Sequence, residues 1–175
     1  MKKICLFLLF GLLVFSNTVL ASNLDTFSLG IHSPQQLAGW LVKEFKYRTE
    51  MPDQWQSAEE TFKLKQGDCE DFAIISQKIL KDLGIKGEIL VVKFRGIAQS
   101  HALCIFKQGK YFSFISNQKI VSTKATSIKE AISQCYPDWE RISYVDAKRI
   151  VKKIVARNKE NDDSSELFTT SLKED

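Results

Sequence analysis

Residues 67–71 read Gly67-Asp68-Cys69-Glu70-Asp71 and stand at the start of a segment with helical periodicity. The apolar residues that follow recur every three or four positions and stop before Gly84, a residue type common at helix C-termini; they are Phe72, Ile75, Ile79, Leu80 and Leu83. Cys69 is therefore predicted in the first turn of a helix, where free backbone N–H groups and the helix dipole favour a thiolate. The three carboxylates around the sulfur act in the opposite direction, so a base or a cation is needed nearby.

The sequence contains two histidines, His32 and His101. His101 begins an apolar run at residues 100–106, which is predicted to form a buried strand between two turn-forming glycines. An imidazole at the start of such a strand can point into a cleft and act as the general base for Cys69. The alternative is a hydrogen-bonded core histidine, the commoner situation for one histidine in an apolar strand.

Other local patterns predict an α+β fold with the cysteine helix packed on a small antiparallel sheet. Ser33-Pro34 starts a first helix, and Ser57 with Glu60 forms a capping box for a second. Apolar and β-branched runs predict three paired strands, at residues 88–94, 100–106 and 111–115. Beyond them the patterns predict a helix at 128–135, an edge strand at 141–145 and a basic amphipathic helix at 146–157.

The N-terminal 21 residues have the pattern of a secretory signal peptide. Lys2 and Lys3 precede an apolar run at residues 4–15, and Val19-Leu20-Ala21 fits a small-residue cleavage site. The run is too short to cross a bilayer comfortably, so no stable membrane insertion is expected after cleavage. We predict one domain at residues 22–157, a disordered polar tail at 158–175, and a periplasmic or extracellular location.

Removal of the signal peptide lowers the net charge from +4 to +2, a weak balance that gives no indication of a nucleic-acid partner. The remaining chain keeps Cys69, Cys104 and Cys135. An odd number of cysteines in an oxidising compartment is consistent with a Cys104–Cys135 disulfide and one free functional thiol. The alternative, which we prefer, is that Cys104 and Cys135 are small buried apolar residues.

Four segments together resemble the transglutaminase-like superfamily, and within it the bacterial transglutaminase-like cysteine proteinases. The resemblance covers about residues 37–118 and is carried by Trp55 to Thr61, Gly67 to Ala73, Ser100 to Leu103 and Phe112 to Gln118. It implies a papain-like catalytic arrangement, with Cys69 as nucleophile, His101 as general base and then acid, and a third residue that orients the imidazole.

The third position departs from the family pattern. The resemblance implies an aspartate followed by an asparagine, and this chain has Ser116-Asn117. Ser116 can accept a hydrogen bond but carries no charge to stabilise an imidazolium. Asn117 can orient the ring through its amide. Neighbouring residues on a strand face opposite sides, so only one of the two is expected to reach His101 unless the strand is bulged or ends there.

The resemblance also implies a metal and a cleft residue. Periplasmic members that cleave adhesins depend on calcium held by acidic residues around the cysteine, and Asp68 and Glu70 match that pattern, with Asp71 a looser candidate. The alternative is a solvated acidic first turn stabilised by the helix dipole. Trp55 is a candidate for lining the cleft or supporting the oxyanion, or else a core residue, and the backbone N–H of Cys69 is the more general oxyanion donor.

The residues and the resemblance together predict an exported cysteine peptidase that hydrolyses peptide or amide bonds of a protein substrate, such as a cell-surface protein, through a thioester on Cys69. Acyl transfer to an amine shares that thioester and is the alternative within the enzyme class. A third hypothesis is a catalytically impaired module that binds an extended protein segment, which the missing aspartate favours.

Overall fold

The computed structural model describes residues 24–26, 28–49 and 54–146, together with Ile150, Lys152 and Ala156. The predicted signal peptide, the predicted polar tail and most of the amphipathic helix predicted at 146–157 lie outside the described residues. The domain boundaries that depend on them stay predictions. Within the described part of the chain, no helix combines the length and the apolar character that a membrane span requires.

The four predicted helices of the core are confirmed, and local capping explains where they begin. The Ser33 side chain accepts a hydrogen bond from the Gln36 N–H at the start of the first helix. Ser57 and Glu60 form both halves of the predicted capping box. The helices are α1 at Pro34–Glu44, α2 at Ala58–Leu64, α3 at Cys69–Asp82 and α4 at Ile128–Cys135.

The main sheet is antiparallel and has five strands in the order β6-β5-β4-β3-β7. Its strands are β3 at Gly87–Phe94, β4 at Ser100–Gln108, β5 at Tyr111–Ser116, β6 at Lys119–Ser122 and β7 at Trp139–Val145. The three predicted strands pair in antiparallel order, and the predicted edge strand is confirmed as β7. The fifth strand, β6, was not predicted, because it has four residues and no long apolar run.

A second, two-stranded element was also missed. Strand β1 at Lys46–Tyr47 pairs in parallel with β2 at Gln66–Gly67, so that Tyr47 lies opposite Gly67. Strands of two residues have no detectable periodicity, and their pairing across the intervening chain is a long-range contact. This pairing matters because it places the end of α1 alongside the residues that start α3.

The sheet separates two apolar cores. Helix α3 covers one face with Phe72, Ile75, Ile79 and Leu80, all fully buried, and each such side chain contributes roughly 1.5–3 kcal/mol of burial free energy. Residues on the opposite face pack with α4 through Ala131 and Ile132. The predicted α+β fold, with the cysteine at the N-terminus of a helix packed on an antiparallel sheet, is confirmed.

The cysteine assignments need a correction. Cys104 is buried as expected and lies in the core on the α3 face, but Cys135 is exposed at the end of α4, on the other face. Both thiols are free, so the Cys104–Cys135 disulfide is not formed. The sheet between the two positions is the physical reason.

Candidate active site

The start of α3 is fixed by the carboxylate of Asp71. One of its oxygens accepts the backbone N–H of Gln56 at 2.7 Å, and the other accepts the backbone N–H of Asp68 at 3.2 Å. Asp71 is fully buried, and a side chain at Gly67 would place its Cβ 2.7 Å from the Asp71 carboxylate. The glycine and the aspartate of the Gly67–Asp71 segment therefore act together to hold Cys69 at the first position of the helix.

The thiol of Cys69 is held in its protonated form. It donates a hydrogen bond to the Glu70 carboxylate at 3.1 Å. Burial raises the pKa of Cys69 to about 12; the hydrogen bond to Glu70 and the charges of Glu70 and Asp68 raise it further, while the backbone N–H of Ala102 lowers it by bonding the sulfur. Burial and the carboxylates thus oppose the thiolate, the carboxylates as the sequence indicated, and together they outweigh the hydrogen bond from Ala102.

His101 is oriented by Ser116. The imidazole Nε2 lies 2.8 Å from Ser116 Oγ, and Ser116 Oγ lies 2.9 Å from the hydroxyl of Tyr136. Asn117 follows the strand end in the left-handed region, with φ of 52°, and its side-chain oxygen is buried without a hydrogen-bond partner among the described residues. Burial lowers the pKa of His101, so the ring is neutral near neutral pH.

The Cys69 sulfur reaches the start of β4, but no hydrogen bond joins it to His101 in the described part of the chain. The sulfur faces the backbone N–H of Ala102, the residue next to His101. The Cys69 thiol donates its hydrogen bond to Glu70, and the imidazole of His101 is hydrogen-bonded to Ser116. The Nδ1 atom of the ring is therefore the nitrogen left to receive a proton from the sulfur.

Two tyrosines near the sulfur were not identified from the sequence. Burial raises the pKa of Tyr47; a hydrogen bond with Thr49 lowers it, and the nearby Asp68 and Glu70 charges raise it. Burial also raises the pKa of Tyr136, and its hydrogen bond with Ser116 offsets part of that rise. Tyr47 reaches the site through the β1–β2 pairing and Tyr136 through the end of α4, and neither contact leaves a local sequence pattern.

The acidic residues around Cys69 differ in what they can bind. Asp68 and Glu70 are 7% and 6% exposed, and one oxygen from each lies with the Cys69 sulfur in a cluster no more than 4.8 Å across. The Asp68 Oδ1 atom is buried without a hydrogen-bond partner in the described residues. A cation would satisfy that oxygen, so Asp68 and Glu70 fit a hard metal ion. Asp71 has both oxygens bonded to backbone N–H groups and holds the loop instead.

Trp55 packs, half-buried, against the core on the α3 face, as does Cys69. The next residue, Gln56, is bonded through its N–H to Asp71 in the first turn of α3. The roles of Trp55 in the cleft and of the Cys69 N–H as oxyanion donor stay predictions.

Part of the chain matches a known protein family. The family model of the transglutaminase-like superfamily matches residues 23–103, a segment that contains both Cys69 and His101. The resemblance to this superfamily is therefore confirmed over that segment. No curated protein sequence matches the chain.

Several solved structures are similar to the chain. Calcium-bound LapG of Legionella pneumophila has 23% identity and a TM-score of 0.45, over 61% of each chain. EGTA-treated LapG has 22% identity and a TM-score of 0.46, over 61% of this chain and 58% of that one. A candidate cysteine protease of Cytophaga hutchinsonii has 13% identity and a TM-score of 0.43, over 65% and 42% of the two chains. The chain thus matches about three fifths of the LapG structures.

Proposed function

We propose that this protein is an exported cysteine peptidase that hydrolyses a peptide or amide bond of a protein substrate through a thioester on Cys69. The observation that carries the proposal is the meeting of Cys69, at the first position of α3, with the start of β4, where Ser116 holds the His101 ring. The signal-peptide pattern of residues 1–21 supports export to the periplasm or beyond, where a cell-surface protein is a candidate substrate.

The chemistry divides into two balanced steps. His101 Nδ1 takes the proton of the Cys69 thiol as the sulfur attacks the carbonyl carbon, and the backbone N–H of Cys69 stabilises the oxyanion. The C–N bond then breaks, and the imidazolium gives its proton to the leaving amine. In the second step His101 takes a proton from water as the water oxygen attacks the thioester carbon, the C–S bond breaks to release the acid product, and the imidazolium returns that proton to the Cys69 sulfur.

Before the first step the Cys69 thiol must give up its hydrogen bond to the Glu70 carboxylate, so that its proton can pass to His101. Asp68 and Glu70 would hold a calcium ion, and Asp71 would support them by fixing the start of α3. When bound, such an ion supplies positive charge that offsets the two carboxylates and favours the thiolate. The unpartnered Asp68 oxygen supports this assignment.

Hydrolysis of p-nitrophenyl acetate tests the reaction without knowledge of the natural substrate. We expect the Cys135→Ser protein, which lacks the exposed competing thiol, to hydrolyse the ester, and Cys69→Ala and His101→Ala to lose at least about 100-fold in rate. Equal rates in all three proteins would contradict the proposal. Acetyl transfer to an added primary amine in preference to water would assign the protein to acyl transfer instead.

The second candidate function is a non-catalytic module that binds an extended protein segment in the same cleft. The protonated Cys69 thiol and the uncharged partner of His101 favour it. It predicts that Cys69→Ala leaves partner binding and phenotype unchanged. A lost phenotype in a Cys69→Ala protein that melts like wild type would exclude the module.

A further inference from the structure

Tyr136 lies behind the Ser116–His101 pair and contacts both of its members. Ser116 Oγ is 2.8 Å from His101 Nε2 and 2.9 Å from the Tyr136 hydroxyl, so the three groups form one hydrogen-bond chain. The Tyr136 ring also packs against the imidazole, with centroids 5.8 Å apart and planes at 53°. The phenol therefore acts on the imidazole both through its ring and through Ser116.

Ser116 alone would leave the tautomer of His101 undetermined. A serine hydroxyl accepts a hydrogen bond from a protonated Nε2 or donates its own proton to a bare Nε2. In the second case the ring carries its proton on Nδ1, and that nitrogen then cannot take the thiol proton. A second oxygen beside Ser116 gives the serine proton another acceptor, and hydrogen bonds in such a chain strengthen one another.

We propose that Tyr136 is a positioning residue. Its hydroxyl oxygen accepts a hydrogen bond from the Ser116 hydroxyl and thereby holds His101 with its proton on Nε2 and with Nδ1 free. The inference rests on the proposed function, in which His101 is the general base. The phenol can donate its own hydrogen bond to solvent because Tyr136 is only half-buried. Two neutral hydroxyls thus orient the ring in place of the aspartate that the family resemblance implies, without supplying its charge.

The surroundings of Tyr136 keep its oxygen in place. Its backbone N–H donates to the Ile132 carbonyl at 2.7 Å and so ties the residue to the last turn of α4. Its ring contacts those of Phe94 and Phe114, with centroid distances of 5.8 and 6.0 Å, and packs against the core on the α4 face. These contacts restrict movement of the hydroxyl away from Ser116.

Tyr136→Phe removes the oxygen and keeps the ring, so it separates positioning from packing. The readout is the ¹⁵N shifts of the imidazole nitrogens at pH 8, where the ring is neutral. Because the chain has two histidines, His32 serves as an internal control. We expect a proton on Nε2 in the wild type and, in Tyr136→Phe, at least about a threefold rise in the Nδ1-protonated form as Ser116 turns to Nε2.

Tyr144→Phe, an exposed tyrosine on β7, is the matched control and should change neither tautomer. In ester hydrolysis Tyr136→Phe should lower kcat severalfold with KM within about twofold of wild type. A wild-type ring protonated on Nδ1, or an unchanged tautomer in Tyr136→Phe whatever its melting temperature, would overturn the inference. The tautomer is measured without turnover, so it stays interpretable even if Cys69 forms no thioester and the proposed function fails.

Discussion

Cys69 and His101 each have a hydrogen-bonded neighbour that affects where their proton lies. Glu70 accepts a hydrogen bond from the Cys69 thiol, and burial together with the Glu70 charge keeps that thiol protonated. Ser116 bonds the imidazole of His101 without a charge, and burial lowers the pKa of that ring. In the metal-free protein both groups are therefore uncharged at neutral pH, so the proposed reaction would begin with proton transfer during attack rather than from a preformed ion pair.

Substitution of Glu70 by glutamine should make Cys69 more reactive in the metal-free protein. Loss of the negative charge and of the carboxylate acceptor lowers the pKa of the thiol, although burial, the larger cause, still holds it above its usual value. A lower pKa gives more thiolate at a given pH, so iodoacetamide labelling at pH 8 should rise roughly tenfold for each unit by which the pKa falls.

The measurement uses a Cys135→Ser background and follows the labelling rate from pH 7 to 11. Glu59→Gln, an exposed carboxylate on α2, is the control and should label like the parent protein. Equal rates for Glu70→Gln and Glu59→Gln would show that Glu70 does not control the thiol.

At the scale of elements, the start of α3 was predictable and its supports were not. The period of Phe72 to Leu83 and the glycine after it defined the helix, so the place of Cys69 followed from local pattern alone. The bond from Asp71 to the Gln56 N–H joins residues 15 apart in the chain, and the sequence had indicated Asp71 only as a looser candidate for a metal ligand. Local periodicity carries no information on such long-range pairing.

Gly67→Ala should destabilise the protein by about 1–3 kcal/mol. The added Cβ would come within 2.7 Å of the Asp71 side chain, which must move and weaken its two hydrogen bonds to backbone N–H groups. The free energy of unfolding from urea titration measures the effect.

Gly39→Ala in α1 is the matched control, because nothing lies within 4 Å of the added Cβ and alanine favours a helix by up to about 1 kcal/mol. A Gly67→Ala protein as stable as wild type would mean that the contact with Asp71 yields without cost.

At the scale of the whole molecule, the site lies at one end of β4, where residues from both faces of the sheet come together. Helix α3 brings Cys69 from one face, and α4 brings Tyr136 from the other. Sequence patterns predicted the α+β class, the helices and the central strands. They could not predict β6, the β1–β2 pair or the approach of Tyr47 and Tyr136, because these depend on how distant segments pack.

Calcium should stabilise the folded protein, since it would bind Asp68 and Glu70 only where folding brings them together. At a free concentration of about 100 times Kd, the gain of about 2.7 kcal/mol corresponds to a rise in melting temperature of roughly 5–10 °C relative to excess EGTA. Asp68→Asn should lose the rise, and Asp138→Asn, an exposed aspartate, should keep it. Identical melting curves with calcium and with EGTA would contradict calcium binding by Asp68 and Glu70.

The central claim is that Cys69 carries the acyl group. Rapid-quench intact-mass spectrometry on the Cys135→Ser protein, mixed with p-nitrophenyl acetate, measures that intermediate directly, and peptide mapping locates it. We expect one acetyl group on Cys69, absent when Cys69→Ala is added to the same background and formed more slowly when His101→Ala is added. No adduct, or an adduct that persists in Cys69→Ala, would contradict the claim.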